Sequence, residues 1–250
     1  MGQLDGKVAV VTGASKGIGF ASAQRFAEEG AYVYLIGRGK EELDRAVTEI
    51  GAHRATGVRG DVTNLADLDR LFATVAADER RIDVLFANAG RTTFSPLAEV
   101  TEEHYEESTR INVRSSLFTV QKALPLLNDQ ASVILATSTT AGRGTAGVGV
   151  YAASKAAIRS LTRTWANELR HRGIRVNAIA PGATETPALV AATPEGLTPE
   201  EFRAMVAAPV PLGRTSTAAE QAAAALFLAS AESSYITGIE LLVDGGINQI

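Results

Sequence analysis

Seven short runs of apolar residues recur along the chain, and most of them contain almost no polar residue. A strand with one face in water alternates apolar and polar residues, whereas a strand buried on both faces does not. The pattern therefore predicts the strands of a parallel sheet that is covered on both faces. The predicted strands are residues 7–11, 32–36, 55–59, 82–87, 132–137, 174–180 and 239–243.

Longer segments, rich in alanine and amphipathic, lie between these runs. The alternation of strand and helix predicts an α/β fold with a doubly wound, Rossmann-like parallel sheet. No internal repeat or low-complexity linker divides the chain, so we expect one domain over residues 1–250. The predicted helices are residues 17–29, 40–51, 64–79, 101–127, 152–171 and 216–231.

One late segment, residues 183–213, departs from this alternation and holds five of the eight prolines. Long connections at strand ends often carry binding residues, so we expect this segment to form a lid over a substrate pocket. A meandering surface connection is the alternative interpretation. The segment is rich in Ala, Val and Leu, which favours an apolar or aromatic substrate over a polyanion.

The composition excludes several classes of function. The formal net charge of −4 argues against a nucleic-acid partner, and the absence of cysteine removes disulfides, thiol nucleophiles and cysteine–zinc sites. His53, His104 and His171 have no ligand spacing, so we expect no metal site. No apolar run approaches the roughly 20 residues that span a bilayer, and the first residues do not resemble a secretory signal. We therefore expect a cytoplasmic protein without a membrane partner.

A glycine-rich turn, TGASKGIG at residues 12–19, joins the first predicted strand to the first predicted helix. Glycine permits a tight turn, and the missing Cβ atoms let a pyrophosphate approach the backbone. The helix N-terminus then offers N–H groups and the positive end of its dipole to an anion. A flexible turn is the alternative, but the position between strand and helix favours dinucleotide binding. The predicted cofactor-binding residues here are Gly13, Ser15, Lys16, Gly17, Ile18 and Gly19.

The end of the second predicted strand indicates which dinucleotide binds. In such folds an Asp or Glu at this point accepts hydrogen bonds from the ribose 2′-hydroxyl of NAD. This chain has Gly37 followed by Arg38, and Lys16 lies in the glycine-rich turn. Two cations without a carboxylate favour the 2′-phosphate of NADP. The alternative is that Arg38 is a solvated charge, although a cation at a helix N-terminus is slightly unfavourable.

The motif YAASK, residues 151–155, sets Tyr151 and Lys155 four positions apart. On a helix this spacing puts both side chains on one face, and only small residues separate them. The pair alone is weak evidence, because a tyrosine and a lysine also share helix faces without any function.

Six motifs then occur in a characteristic order. They are TGASKGIG (12–19), NAG (88–90), the Asn of INV (112), Ser138, YAASK (151–155) and PG (181–182). Together they resemble the single-domain branch of the short-chain dehydrogenases/reductases, and most closely the 3-oxoacyl-carrier-protein reductases and related carbonyl reductases. The resemblance extends over essentially the whole chain, through VDGG at residues 243–246.

The resemblance implies roles for individual residues. Tyr151 would be the acid/base, Lys155 its partner and a ribose ligand, Ser138 the hydroxyl that orients the carbonyl, and Asn112 the holder of a water in a proton relay. Ala87 and Thr184 depart mildly from the family pattern. The further cofactor contacts implied are Asp61, Val62, Asn88, Ala89, Gly90, Pro181, Gly182, Thr184 and Thr186, and the substrate contacts are Ser138, Thr140 and Tyr151.

These observations lead us to expect an NADPH-dependent oxidoreductase that reversibly reduces a ketone to a secondary alcohol, with Tyr151 as proton donor. A lysine ammonium beside the phenol favours the phenolate, and Ser138 offers a donor where charge develops in the transition state. The resemblance further implies a homo-oligomer, either a dimer or a tetramer. The alternatives are a catalytically idle dinucleotide-binding sensor or scaffold, and a non-redox lyase or dehalogenase on the same scaffold.

Overall fold

The computed structural model describes residues 2–250 and contains a seven-stranded sheet in which all paired strands are parallel. All seven predicted strands are present, and the predicted doubly wound α/β fold is confirmed. The sheet order is β3-β2-β1-β4-β5-β6-β9. These strands are β1 (Val8–Thr12), β2 (Tyr32–Gly37), β3 (Ala55–Arg59), β4 (Ile82–Ala87), β5 (Leu127–Ala136), β6 (Arg175–Pro181) and β9 (Glu240–Val243).

Helices cover both faces of this sheet. Helices α1, α2 and α9 contribute to the core on one face, and α3, α5 and α6 contribute to the core on the other. Among residues 2–250, no helix combines the length and the apolar character that crossing a bilayer requires. The helices are α1 (Gly17–Glu28), α2 (Lys40–Ile50), α3 (Leu65–Ala77), α4 (Glu102–Thr109), α5 (Ser115–Ala123), α6 (Gly149–Glu168), α7 (Pro187–Ala191), α8 (Pro199–Ala207) and α9 (Ala218–Ala229).

Strand β1 shows why the predicted strands lack alternation. Successive side chains of a strand point to opposite faces. Ala9 and Val11 pack into the core beneath α1 and α9, whereas Val10 packs into the opposite core. All three are fully buried, so every position along the strand is apolar.

The strand order reverses beside β1, which pairs with β2 on one side and with β4 on the other. At such a point the connections leave toward opposite faces, and a crevice opens at the carboxyl ends of the strands. The glycine-rich turn follows β1 and the NAG motif follows β4, so both motifs border this crevice.

The predicted helix over residues 101–127 is interrupted and ends early. It consists of α4, a π-helical turn at Arg110–Arg114, and α5, which ends at Ala123. The prediction was wrong for the last four residues. Leu124 keeps helical φ and ψ as the C-cap, but Pro125 has no N–H with which to continue the intrahelical hydrogen bonds. Strand β5 starts at Leu127, earlier than predicted, with a register shift against β4 between Ile82 and Val84.

The proline-rich segment 183–213 is more regular than a loop. It contains the short strand β7 (Thr184–Glu185), α7 and α8, and β7 pairs in parallel with β8 (Ser216–Thr217). Pro187 and Pro199 stand at the first helical positions, each preceded by a threonine whose side chain caps the helix. Proline is well tolerated there, because its missing N–H would have no intrahelical partner. The function of this segment as a lid stays a prediction.

Candidate functional site

The glycine-rich turn has a backbone that requires glycine. Gly13 and Gly17 have φ angles of +63° and +62°, which side chains other than glycine rarely adopt. A Cβ added to Gly19 would lie 2.5 Å from the side-chain nitrogen of Asn88 and would overlap the carbonyl oxygen of Gly13. The turn thus exposes backbone at the start of α1, as a bound pyrophosphate requires.

The NAG motif is bonded directly to the glycine-rich turn. The Asn88 side chain donates to the carbonyl oxygen of Thr12 at 3.0 Å, and the Ala89 N–H donates to the Thr12 hydroxyl at 3.0 Å. These bonds tie the ends of β1 and β4 together at the crevice. Asn88 therefore has a structural part in shaping the cofactor cradle.

The end of β2 is tightly packed at one residue and open at the next. A Cβ added to Gly37 would lie 3.0 Å from the Ser15 hydroxyl, whereas Arg38 is exposed. Lys16, also exposed, lies at the N-cap of α1. The Ser15 side chain therefore faces the Gly37 backbone in the part of the crevice where an adenosine ribose binds in such folds.

Two charged residues that the sequence analysis missed lie at the same edge. Arg59 ends β3, pairs in register with Gly37, and donates from Nε to the carbonyl oxygen of Arg38 at 3.2 Å. Glu42, in the first turn of α2, folds its carboxylate back so far that a Cβ on Gly39 would overlap it. The end of β2 is therefore bordered by the cations Lys16, Arg38 and Arg59 and by the anion Glu42.

The predicted adenine-side residues lie in a turn that is fixed by aspartates. The Asp61 carboxylate accepts from the Thr63 N–H at 2.8 Å, and the Asp61 N–H donates to Asp67 at 2.8 Å. This backbone hydrogen bond is the main cause of the lowered pKa of Asp67. Val62, which follows Asp61, packs against the core beneath α3.

Tyr151 and Lys155 lie on α6, one turn apart, and both are buried. The Lys155 ammonium donates to the carbonyl oxygen of Ala136 at 2.8 Å and lies 5.7 Å from the centre of the Tyr151 ring. Burial lowers the pKa of Lys155, and the neighbouring Tyr151 opposes that shift. An ammonium has three donors, and only this acceptor is found for Lys155 among residues 2–250. Two N–H groups therefore remain available to a ligand.

Ser138 follows the end of β5, two residues after the carbonyl that Lys155 binds. It starts a 3₁₀ turn, Thr139–Ala141, which packs against α6. Its hydroxyl oxygen accepts hydrogen bonds from the Thr140 N–H at 3.3 Å and from the Thr140 hydroxyl at 3.0 Å. The fold thus brings Ser138, Thr140, Tyr151 and Lys155 to one end of the crevice.

Asn112 lies in the π-helical turn between α4 and α5 and is fully buried. Its side-chain oxygen accepts from the Arg91 N–H at 3.0 Å, and its side-chain nitrogen donates to the carbonyl oxygens of Arg91 and Ser108, each at 3.0 Å. A π-turn of this kind is frequent at functional sites. Both N–H donors of the amide are thereby used, and the oxygen keeps one lone pair without a partner among residues 2–250.

Gly90 lies between the side chains of Asn112 and Lys155. A Cβ on Gly90 would lie 2.9 Å from the Asn112 side-chain oxygen and 3.0 Å from the Lys155 nitrogen. The glycine therefore lets the chain that follows β4 pass between these two polar groups.

The far wall of the crevice is formed by the residues that follow β6. A Cβ on Gly182, which follows Pro181, would lie 2.8 Å from the Asp244 backbone. The Thr184 hydroxyl donates to the Gly182 carbonyl oxygen at 3.0 Å. Thr186 lies opposite the glycine-rich turn, with its methyl carbon 3.4 Å from a Cβ placed on Gly17.

A cavity of about 230 Å³ begins at Thr186 and continues between α7 and α8, bordered by Leu189, Val190 and Phe202.

Comparison with known proteins identifies the family. A family model described as "Enoyl-(Acyl carrier protein) reductase" matches residues 13–248. A 3-oxoacyl-(acyl-carrier-protein) reductase of Thermotoga maritima is 39% identical over 98% of this chain and 99% of its own. The chain belongs to the short-chain dehydrogenase/reductase superfamily.

Two further proteins are similar to this chain over nearly its whole length. An oxidoreductase of Sarocladium schorii is 43% identical over 99% of this chain and 98% of its own. A blue fluorescent protein from a metagenomic library, whose structure was solved in complex with NADPH, has a TM-score of 0.90 and 34% identity, over 98% of this chain and 99% of that one. The chain therefore belongs to an oxidoreductase family whose members bind NAD or NADP.

The cradle of this family member fits a dinucleotide. The turn would be blocked by a Cβ at Gly19, the ammonium of Lys155 has unused donors, and the crevice lies where the strand order reverses. Among residues 2–250, no cluster of three His, Cys, Asp or Glu side chains is arranged as a metal site. The chain thus offers hydroxyl and ammonium groups beside a nucleotide cradle.

Proposed function

We propose that this short-chain dehydrogenase/reductase is an NADPH-dependent carbonyl reductase, which reversibly converts a ketone into a secondary alcohol. The observation that carries the proposal is the bond from Lys155 to the Ala136 carbonyl oxygen. This bond fixes the ammonium on the same face of α6 as Tyr151 and close to the turn that begins at Ser138. The proposed acid Tyr151, its charged partner Lys155 and the hydroxyl donor Ser138 therefore lie at one end of the crevice.

Each residue has a distinct part in the proposed reaction. The bound nicotinamide supplies a hydride to the carbonyl carbon. Tyr151 donates its phenolic proton to the carbonyl oxygen, and Ser138 donates a hydrogen bond to the same oxygen as negative charge develops. Lys155 stabilises the phenolate that remains until a solvent proton replaces the one transferred. In the reverse direction the phenolate accepts the proton of the alcohol.

The preference for NADPH rests on the charges beside Gly37. Arg38, Lys16 and Arg59 surround the position where the 2′-phosphate of NADPH lies in such folds, and Gly37 provides no carboxylate for the 2′-hydroxyl of NADH. A charge-assisted hydrogen bond contributes roughly 1.5–3 kcal/mol. Exposure weakens each contact, but more than one cation contributes, so we expect a preference of about ten- to a few-hundredfold in kcat/KM.

The substrate is an apolar or aromatic ketone, and the lid segment 183–213 borders its pocket. The support is the cavity between α7 and α8, whose walls include Leu189, Val190 and Phe202. Its two charged lining residues, Glu185 and Arg203, are paired with each other. The protein acts as a homo-oligomer, a dimer or a tetramer. In support, Tyr235 is fully exposed and Ile239 is partly exposed beside β9, an edge strand of the sheet. The cytoplasm is the proposed location.

The decisive experiment measures NADPH oxidation with a panel of ketones, ketoesters and 3-oxoacyl thioesters, for the native protein and for Tyr151→Phe. The native protein is expected to turn over at least one apolar ketone. Tyr151→Phe should lose 10²-fold or more, because general acid catalysis typically contributes about 10²–10⁴-fold. It should keep its melting temperature and its affinity for NADPH, because only the hydroxyl is deleted. A variant with more than about a tenth of the native rate would overturn the role of Tyr151.

A second activity is favoured by the description of the matching family model, which names an enoyl reductase. The panel therefore includes a 2-enoyl thioester, in which hydride adds to a carbon–carbon double bond. Turnover of this compound alone would replace the carbonyl reductase by an enoyl reductase. Tight NADPH binding with no turnover of any compound would favour the sensor or scaffold.

A further inference from the structure

We propose that Thr140 is a positioning residue, which fixes the Ser138 hydroxyl as a hydrogen-bond donor toward the substrate oxygen. The inference rests on the proposed carbonyl reduction and deepens it. It also revises the expectation that Thr140 contacts the substrate itself.

The argument begins with the hydrogen-bonding capacity of a hydroxyl group. A serine oxygen accepts two hydrogen bonds with its lone pairs and donates one through its proton. Both acceptor positions of Ser138 are used by Thr140, one by the N–H at 3.3 Å and one by the hydroxyl at 3.0 Å. The proton of Ser138 is therefore left to point toward a third group.

Reduction of a carbonyl requires Ser138 in this orientation, with its hydroxyl donating a hydrogen bond to the substrate oxygen. The substrate oxygen accepts hydrogen bonds throughout, and it gains negative charge in the transition state. A serine that is free to rotate would spend part of its time with a lone pair toward this oxygen. Filling both lone pairs from Thr140 removes that orientation before the substrate binds.

The 3₁₀ turn that contains Thr140 is fixed by hydrogen bonds at both of its ends. The Ala141 N–H donates to the Ser138 carbonyl oxygen at 2.9 Å, which closes the 3₁₀ turn. From the C-terminal segment, the Asn248 side chain donates to the Thr139 carbonyl oxygen at 2.8 Å. The Asn248 backbone N–H is in turn bound by the Asp244 carboxylate at 3.2 Å. Thr140 is half-buried, and its hydroxyl has no other partner among residues 2–250.

The test is a double-mutant cycle between Thr140→Val and Ser138→Ala, measured with the best ketone of the panel. Valine keeps the shape of threonine and removes only the hydroxyl. Thr140→Val should lower kcat about five- to tenfold, the effect of one neutral hydrogen bond. KM and the NADPH dissociation constant should change less than about twofold. In the Ser138→Ala background the same substitution should change kcat less than about twofold, since its effect passes through the serine.

Two further outcomes decide between a positioning role and the alternatives. Thr140→Ser restores the hydroxyl and should recover most of the native kcat, and Thr140→Ala replaces Thr140→Val in the cycle if the valine variant does not fold. Equal losses from Thr140→Val in both backgrounds, or a Thr140→Ser variant as slow as Thr140→Val, would overturn the inference while the reductase stands. If the native protein reduces no ketone, the proposed function fails and the inference fails with it.

Discussion

At the scale of single residues, Lys155 combines a buried charge with the role that we propose for it in the reaction. Its ammonium is buried and holds one carbonyl acceptor, so burial lowers its pKa and the charged form is costly to the fold. A site with this cost is typical of functional residues, where activity and stability oppose each other. Among residues 2–250 the ammonium has no carboxylate partner, which leaves it available for the proposed contacts with a phenolate and with ribose hydroxyls.

We predict that Lys155→Met lowers the rate and weakens NADPH binding while it raises the thermal stability of the cofactor-free protein. Methionine fills nearly the same volume and carries no charge, so the desolvation cost disappears. The loss in kcat should exceed about tenfold, since the phenolate loses its charged partner. Steady-state kinetics, NADPH titration and melting curves give the three readouts. A variant with native kinetics, or one that melts well below the native protein, would contradict this account.

Gly37 is the residue that we expect to decide between the two cofactors. We predict that Gly37→Asp makes NADH the preferred substrate, because a carboxylate there accepts from the 2′-hydroxyl and repels a 2′-phosphate. The new Cβ would meet the Ser15 hydroxyl at 3.0 Å, so the serine must rotate, and the absolute rate should fall severalfold with either cofactor. The measurement is kcat/KM for NADH and NADPH, with Gly37→Ala as the steric control. An unchanged preference in Gly37→Asp would show that this position does not contact the ribose.

At the scale of elements, the N-terminus of α9 shows how a helix start is stabilised. Thr217 and Glu220 form a reciprocal capping box, and Arg214 binds the same carboxylate at 2.6 Å and 2.9 Å. The hydrogen bond from Arg214, followed by that from the Thr217 N–H, lowers the pKa of Glu220 to about 2. The folded state therefore favours the ionised carboxylate more than the unfolded state does.

We predict that Glu220→Gln lowers the melting temperature by about 2–4 °C at neutral pH, which is the effect of weakening one helix cap in a chain of this size. Because the folded pKa of Glu220 is depressed, its contribution is fully present above the ordinary value of 4.5 and is lost as the pH falls toward 2. The difference between native and variant melting temperatures should therefore shrink over this window. Glu232→Gln, in the 3₁₀ turn after α9, serves as the control. A difference that does not depend on pH would contradict the linkage to Glu220.

A helix or strand can be predicted from the sequence when the interactions that cause it lie within a few residues of the chain. The continuous apolar runs act within a few residues, and the strands predicted from them agree with the structure. Thr186-Pro187 and Thr198-Pro199 are equally local signals of a helix start, but the sequence analysis did not use them, and α7 and α8 were not predicted. The π-helical turn at Arg110–Arg114 has a tertiary cause, because the Asn112 amide in it binds the backbone of Arg91. Apolar spacing alone does not reveal such an interruption.

At the scale of the whole molecule, residues far apart in the chain meet at the carboxyl ends of the strands. The motifs predicted from the sequence lie there because the strand order reverses between β1 and β4. Arg59 was missed because its place beside Arg38 depends on the register of β3 against β2. Asn248 was missed because it reaches Thr139 across 109 residues of chain. Neither contact has a signal in a single sequence, since neither residue belongs to a motif.

Cofactor binding is expected to change the stability of the molecule as a whole, which tests the cradle without any substrate. A ligand at 100 times its dissociation constant stabilises the native state by about 2.7 kcal/mol. For a chain of roughly this size each kcal/mol corresponds to about 2–4 °C. We therefore predict that NADPH at that level raises the melting temperature by about 5–10 °C. The same concentration of NADH should give about half of this shift or less, since a tenfold weaker ligand stabilises about half as much.

Matched variants connect that shift to the cations at the end of β2. Arg38→Ala should bring the NADPH shift closer to the NADH value and leave the NADH shift unchanged, because it removes one of the contacts to the 2′-phosphate and none to the rest of the cofactor. Lys40→Ala is the control, since this exposed cation lies two residues away and is already paired with Asp44 at 2.5 Å; it should leave both shifts as they are. Thermal melting of the three proteins with each cofactor is the measurement. Equal shifts with NADPH and NADH in the native protein, or an Arg38→Ala variant that loses both shifts alike, would show that Arg38 does not bind the phosphate.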